Sequence, residues 1–530
     1  MEKAMEMGKT STAGSVQLFL GTSISTIIRA VGAIILGSLI LESDYGLYVI
    51  ALIPITTLTL VQDWGVGSAL TRYCAKYRAT NELAEQRKVI IAGLIFLAAT
   101  GVVLTVVSVL LANFFATSIY NSPATAFLII LASVTMLSGG IASGIASVLT
   151  GFEQMKLNSY LALIAAIVYS LVAPLLVYFG YGARGAIIGF TASSVVQAVI
   201  SLIFLYFFIY RELPRSKINK SEIVQTLKSL LSYGVPLGIS SIVGNLGSPV
   251  FSFLMAHYVN DVVIGNYKIA TNFIILLSFL TGPITTVLFP AFSKLDPRTE
   301  KNLLKTVFSS SVKYTVLLLV PASMAMAVLA TPLIGSIYGN KWLIAPPFLV
   351  LSAAFYLLAL TGSRSVGSLL SALGETKFLL EQSLLSLAIG IPVAFLLVPP
   401  LGIIGMIIGL QVAAFPSAFI GLYITWKRYG VKADFGSSAK IFLSSALATA
   451  VVYLFLIFFN FSYLVILVAG SIIFLAVYLI SAPFLGAINQ SDVNNLRTML
   501  SGLGIISRLL EVPLKIIEKL LKIRQLQVRR

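Results

Sequence analysis

Fourteen stretches of roughly twenty apolar residues, each bounded by charge, Gly or Pro, run through this chain. A helix rising about 1.5 Å per residue needs about twenty apolar residues to cross some 30 Å of hydrocarbon. The stretches lie near 15–41, 46–70, 89–114, 124–150, 157–179, 184–210, 233–257, 262–289, 309–337, 343–370, 376–398, 402–426, 437–459 and 463–487. Lipid offers no partner to an open backbone, so apolar runs of this length cross as helices. Charged residues make up 10% of the chain, against about 25% in soluble domains, and the mean hydropathy is +0.98. The expected fold is all-α: a polytopic membrane protein with 14 transmembrane helices.

The basic residues test that count. The even-numbered connections, the start and the tail hold 31 of the 36 lysines and arginines, among them Arg72, Lys88, Arg215, Lys217, Lys294, Arg298, Lys377, Arg529 and Arg530. The remaining five are Arg29, Arg184, Lys268, Lys341 and Arg364. The positive-inside rule then predicts that both termini are cytoplasmic. The net charge of +17 reads as a topology signal and a contact with anionic membrane lipid, and nucleic acid is not expected as a partner.

The chain also repeats itself. Tyr45-Gly46-Leu47-Tyr48 returns as Ile264-Gly265-Asn266-Tyr267 at an offset of 219, Ser147 to Leu157 returns as Ser368 to Phe378 at 221, and Gly182 to Gly189 returns as Gly402 to Gly409 at 220. Three matches in order at offsets within two residues of one another predict two six-helix lobes in a pseudo-twofold repeat. An even number of spans per copy keeps both in one orientation, with a cavity between them. The expected organisation is an N-lobe over 1–212, a C-lobe over 213–430 beginning with a linker, and an appended helix pair over 431–490. A basic tail over 491–530 follows. It alternates Leu509, Leu510, Val512, Leu514, Ile516, Ile517, Leu520, Leu521 and Ile523 with Lys515, Lys519 and Lys522, which predicts an amphipathic helix on the inner membrane surface. Glu511–Lys515 and Glu518–Lys522 support it as i,i+4 pairs, and Pro513 starts or kinks it.

Arg29 stands in the middle of the first stretch, roughly 18 Å of helix from Leu41. Its guanidinium cannot snorkel that far, and at such depth costs at least ~2.5 kcal/mol. One reading is a cationic ligand site inside a transporter; the other is a structural ion pair, for instance with Asp63. Lys268 and Arg364 fall in or near the eighth and tenth stretches, either lining a cavity or snorkelling at an interface. The acids within spans are Asp63 and Glu381, candidates for ion coupling or structural pairing. Cations in excess of acids suit an anionic substrate, since an arginine fork holds phosphate oxygens bidentately.

Other chemistries lack residues. One cysteine, Cys74, and one histidine, His257, leave no disulfide framework and no zinc constellation; no metal and no cofactor is expected. No nucleophile has a partnered base, no Gly-rich phosphate loop is present, and the loops are too short for a catalytic domain, so an enzyme is not expected. The first stretch is too long for a signal peptide and carries an arginine, so it is expected to stay as a membrane helix.

With these residues assembled, the chain resembles the oligosaccharide flippases of the polysaccharide-biosynthesis (Wzx-like) family, within the superfamily that also holds MATE exporters and MurJ-type lipid II flippases. The resemblance rests on Glu42-Ser43-Asp44-Tyr45-Gly46-Leu47-Tyr48, on Asp63-Trp64-Gly65-Val66-Gly67-Ser68-Ala69-Leu70, on Gly265-Asn266-Tyr267-Lys268-Ile269-Ala270, and on the order of fourteen spans. It covers most of the chain except the tail. It implies a two-lobed, V-shaped carrier in the plasma membrane, a monomer working by alternating access. Its implied passenger is a polyprenyl- or dolichyl-linked glycan, and its implied diphosphate site is formed by Arg29 with Lys268, Arg364 and Asn272. Arg29 with Gly32 matches the first basic position of MurJ-like sequences. Their second is Ile35 here, and their arginine of the eighth span aligns with Asn272, one turn after Lys268. These departures point away from lipid II. The alternative is a MATE-like exporter of small molecules coupled to a cation through Asp63 or Glu381, although the acidic sites typical of those exporters are not recognisable.

Overall fold

The computed structural model describes residues 2–214, 219–293, 295–297, 299–500 and 505–528, and these contain helices and turns but no strand. Arg215, Lys217, Lys294, Arg298, Arg529 and Arg530 of the basic residues named above lie outside the described residues. The chain divides into two compact units, Met1–Asn272 with Ala394–Met406 and Phe273–Val393 with Ile407–Arg530.

The first unit is built from α1 (Glu2–Leu39), α2 (Glu42–Thr59), α3 (Val66–Ala79), α4 (Leu83–Phe114), α5 (Thr125–Gly151), α6 (Met155–Leu176), α7 (Gly182–Phe208), α8 (Lys220–Asn245), α9 (Gly247–Tyr258) and the start of α10 (Asp261–Ser293). The second takes the rest of α10, then α11 (Lys301–Val328), α12 (Ala330–Tyr338), α13 (Ala345–Ala354), α14 (Ser363–Ala372), most of α15 (Thr376–Leu401) and α16 (Ile403–Tyr429), α17 (Phe435–Phe458), α18 (Tyr463–Phe484), α19 (Gln490–Leu500) and α20 (Ile505–Val528).

Every expected stretch is helical, but not every one is a single rod. Among the described residues nine helical stretches are long and apolar enough to cross a membrane, or eleven if two bent pairs are counted. One of the nine, Met155–Glu212, turns back at Gly180 (φ +88°) and Gly182 (φ +51°), so that α6 and α7 pack along each other. It therefore carries two expected stretches, and fourteen stays consistent with the structure. The second stretch breaks between α2 and α3 at Trp64 (φ +48°) and Gly65 (φ +75°). α8 and α9 meet at 40°, and the segment Ala345–Thr361 meets α14 at 59°. Outward faces are apolar, with Leu110, Leu396 and Phe458 each more than two-thirds exposed; lipid is the solvent that suits them.

Two seams set helix registers in the first unit. α1 lies on α6 through paired small residues: Gly21 faces Ser159, and Gly32 faces Ser170. Both spacings are eleven residues, three helical turns. The serine hydroxyls donate across the seam, Ser159 to Gln17 O (3.1 Å) and Ser170 to Ile28 O (2.9 Å). Small residues with crossing hydrogen bonds are how helices associate where lipid removes the hydrophobic drive. This register sets Arg29, next to Ile28, beside Tyr169, next to Ser170.

The other seam joins two copies of the repeated motif. A Cβ on Gly46 would overlap the backbone carbonyl of Asp261, and a Cβ on Gly265 would overlap that of Glu42. Glu42 and Asp261, like Gly46 and Gly265, are equivalents at the offset of 219. The two contacts are one contact repeated about a pseudo-twofold axis. Asn266 Nδ2 ties it by donating to Glu42 Oε2 (2.7 Å).

In the second unit the tail forms the expected helix. Pro513 lies inside it, and its apolar stripe is divided: Ile516 and Ile523 stay exposed. Leu514, Ile517 and Leu521 enter the core formed with α11, α17 and α18. Of the expected i,i+4 pairs Glu511–Lys515 is present at 3.8 Å, whereas Glu518 pairs with Arg497 at 3.2 Å. Lys313 Nζ meets Asp492 Oδ2 at 2.6 Å with both side chains largely buried, and the same oxygen accepts Asn489 N. The sequence pattern showed an apolar face without showing what would cover it.

Gly32→Ala places a methyl against the Ser170 backbone and is expected to cost about 1–3 kcal/mol, as overpacking does. Thermal unfolding of the purified protein checks this, and Ser170→Gly in the same chain is expected to restore part of the loss. Gly46→Ala and Gly265→Ala are expected to cost a similar amount each. Their double variant should cost less than the sum, because one forced separation of α2 and α10 accommodates both methyls; strict additivity would deny the reciprocal contact.

Candidate functional site

Arg29 is half-buried on α1, with its guanidinium carbon 5.9 Å from the ring centroid of Tyr169 on α6. The Tyr169 hydroxyl lies 3.3 Å from that of Tyr48 on α2. Tyr48 stacks on Tyr45, three residues earlier on the same helix, at 5.8 Å and 13° between planes. The Tyr45 hydroxyl accepts a hydrogen bond from Asn272 Nδ2 on α10 (3.0 Å). Tyr45, Tyr48, Tyr169 and Asn272 are all buried. Arg29 and Asn272, far apart in sequence, are thus joined through three tyrosines. Lys268 sits one turn before Asn272 and is half-buried.

None of the ion pairs among the described residues includes Arg29, Lys268 or Arg364. The structural pairing of Arg29 with Asp63 is absent from them. Asp63 Oδ1 instead accepts the backbone N–H of Gly67 at the start of α3 (2.8 Å), where a carboxylate complements the helix dipole. A cation–π contact contributes about 0.5–2 kcal/mol, less than the cost of at least ~2.5 kcal/mol for a guanidinium at membrane depth. The tyrosine fixes the posture of Arg29 without neutralising it. Its N–H groups keep their capacity to grip an anion, bidentately if the anion is a phosphate.

Arg364 belongs to the second unit and is built in the same manner. It lies in the first turn of α14, two residues after Gly362 (φ +81°), with its guanidinium 5.5 Å from the ring centroids of both Phe355 and Tyr356. The Tyr356 hydroxyl lies 2.6 Å from Ser278 Oγ. A cation in a first helical turn opposes the dipole, and an anion beside it relieves that conflict. Glu381, also in the second unit, is exposed on α15. His257 Nδ1 lies 2.5 Å from the carbonyl of Ile119. Among the described residues no cluster of three metal-ligating side chains occurs.

The aromatic partners escaped sequence reasoning. Tyr45 and Tyr48 stood in the repeated motif, which marked their positions though not their contact with the arginine. Tyr169, Phe355 and Tyr356 read as ordinary span residues, since aromatic side chains in a membrane helix need no special reason.

A family described as Polysaccharide biosynthesis protein matches residues 11–296. The lipopolysaccharide biosynthesis protein WzxC of Escherichia coli is 26% identical over 264 residues, which are 50% of this chain and 51% of that protein. The probable low-salt glycan biosynthesis flippase Agl15 of Haloferax volcanii is 22% identical over 186 residues, 35% of this chain and 39% of its own. The chain thus matches about half the length of WzxC and less of Agl15. Among solved structures, the inward closed conformation of the lipid II flippase MurJ superposes with a TM-score of 0.72 at 16% identity, covering 88% of this chain and 98% of MurJ. An inward-facing multidrug resistance MATE family transporter of the MOP superfamily gives 0.59 at 16% identity, covering 78% and 98%. At such identities these two show a shared fold. The family match spans more than half of the sequence, and the chain belongs to the polysaccharide biosynthesis protein family.

Proposed function

We propose that this protein is a flippase. It moves a polyprenyl- or dolichyl-(di)phosphate-linked oligosaccharide from the cytoplasmic to the outer leaflet of the plasma membrane, by alternating access, for cell-surface glycan assembly. The observation that carries the reading is Arg29: a guanidinium in the middle of a membrane helix, held on Tyr169 with no acidic partner among the described residues. WzxC and Agl15 by name serve lipopolysaccharide and glycan biosynthesis, and MurJ, which shares the fold, is a lipid II flippase. Arg29 takes the phosphate, assisted by Lys268, Asn272 or Arg364, while the lipid tail stays in the bilayer. Outward movement of an anion down an inside-negative potential gains about 2.3 kcal/mol per charge per 100 mV.

The protein acts as a carrier and not an enzyme. Its two six-helix copies are residues 1–212 and 213–430, with 431–490 as an added pair and 491–530 as a tail; both termini face the cytoplasm, the basic connections touch anionic lipid, and the functional state is a monomer. The cation-coupled exporter is not favoured. Asp63 is engaged with the start of α3, and Glu381 is exposed.

Arg29→Ala is expected to abolish complementation of a flippase-deficient strain at unchanged protein level. Arg29→Lys, which keeps the charge and loses the fork, should lower transport about 10- to 100-fold, the equivalent of about 1.5–3 kcal/mol for a charged hydrogen bond. Full activity in Arg29→Ala would assign the arginine to structure. For orientation, Cys74→Ala removes the one cysteine. An impermeant maleimide added to intact cells is then expected to label Ala124→Cys, in the connection before α5, and to spare Thr80→Cys, between α3 and α4.

A further inference from the structure

A polar cleft of about 280 Å³ lies between α3, α4 and α8, far along the chain from Arg29 and separate from the tyrosine ladder. Tyr73 and Tyr77 line it from α3, Glu85 and Lys88 from α4, Glu222 and Gln225 from α8. A neighbouring hollow of about 520 Å³ shares Tyr73, Gln225 and Ser229 with it and adds Lys228, Ser232 and Tyr233. The rings form one wall: Tyr73 stacks on Tyr77 at 6.1 Å and meets Tyr233 edge-on at 6.2 Å. Arg72 sits 4.2 Å above the Tyr233 ring and fixes it.

The charges in the cleft satisfy one another. Lys88 Nζ lies 2.9 Å from Glu85 Oε1 and 3.4 Å from Glu222 Oε1, and Glu222 Oε2 accepts the backbone N–H of Asn219. A lysine held between two carboxylates is a poor anion trap. What remains available are the spare lone pairs of the two carboxylates, the amide of Gln225, the hydroxyls of Thr226 and Ser229, and the tyrosine wall. A sugar ring presents the complement, with adjacent hydroxyls that pair with carboxylates and amides and a C–H face that packs on aromatic rings. The volume sits near the lower edge of ligand pockets, about 300–1,000 Å³. That is room for a saccharide and too little for a helix of a partner protein.

We propose that this cleft docks the saccharide head of the lipid-linked substrate, at the end of the molecule that carries the basic connections, as a site distinct from the arginine that takes the phosphate. The inference rests on the flippase reading and deepens it. The head group is recognised where it is assembled, before the charge moves inward.

The test uses the full chain in a flippase-deficient strain whose lipid-linked oligosaccharide is labelled by feeding tritiated sugar. Gln225→p-benzoylphenylalanine, at an exposed position, is irradiated beside the lipid-facing control Ile472→p-benzoylphenylalanine. Labelled saccharide on the protein is expected to be about tenfold higher from position 225, equivalent to about 1.4 kcal/mol of preferential occupancy. It should survive excess inorganic phosphate. Equal labelling at the two positions, or displacement by phosphate, would overturn the proposal. Ser229→Trp fills the cleft and should lower glycan export about tenfold; full export at normal protein level would also overturn it, and where that variant fails to fold, the photolabel at 225 decides alone. Failure of the flippase reading looks different: the unmodified chain would then not restore surface glycan at all.

Discussion

The structure depends on what a bilayer does to charge. Hydrocarbon cannot solvate a guanidinium at the middle of a membrane helix, so Arg29 must draw its compensation from the protein, from a watered cavity or from a passenger. The protein supplies one aromatic face, Tyr169, and through it a ladder of hydroxyls and rings reaching Asn272. Three of its four steps cross between helices, α1 with α6, α6 with α2 and α2 with α10, and the fourth, Tyr48 on Tyr45, runs along α2. The position of one cation is therefore set by three separate helix contacts.

Those contacts are made by residues chosen for being small. The eleven-residue spacing of Gly21 and Gly32 against Ser159 and Ser170 holds α1 on α6 in one register. A slip by one residue turns a helical face by about 100° and would carry Arg29 off Tyr169. Gly46 and Gly265 bring α2 and α10 together backbone to backbone, which is how Tyr45 comes within reach of Asn272. Larger side chains at these positions would bury more area and lose the geometry, so packing and site here follow from the same glycines.

Much of this was legible in the sequence. Apolar runs and basic connections marked the helices, because hydrocarbon thickness leaves only one length for a crossing element. The offset of 219 between Tyr45-Gly46 and Ile264-Gly265 marked the repeat, and the structure shows those copies touching. Arg29 announced itself by charge alone. What the sequence could not display was the partner of each group. The break at Trp64 and Gly65 depends on a backbone turn inside an apolar run, where hydropathy is unchanged. The amphipathic pattern of α20 is the same whether lipid or protein covers it, and here protein covers Leu514, Ile517 and Leu521 while Ile516 and Ile523 stay exposed. Tyr169 was invisible because an aromatic residue in a span is ordinary until a cation is found above it.

The contrast between two cations within the fold gives the arrangement its meaning. Lys313 is largely buried against Asp492, and breaking such a pair costs about 3–5 kcal/mol; a charge held that firmly serves to dock the tail and is unavailable for anything transient. Arg29 and Arg364 are both held by rings instead, at about 0.5–2 kcal/mol. Among the described residues neither arginine has a carboxylate partner, so on the proposed reading an anion arriving at either displaces none and an anion leaving need not wait for one to return. A carrier must bind and release the same group on opposite faces of a membrane. Aromatic support without neutralisation orients the cation while leaving its charge to the passenger, and that suits a cycle of binding and release better than an ion pair would.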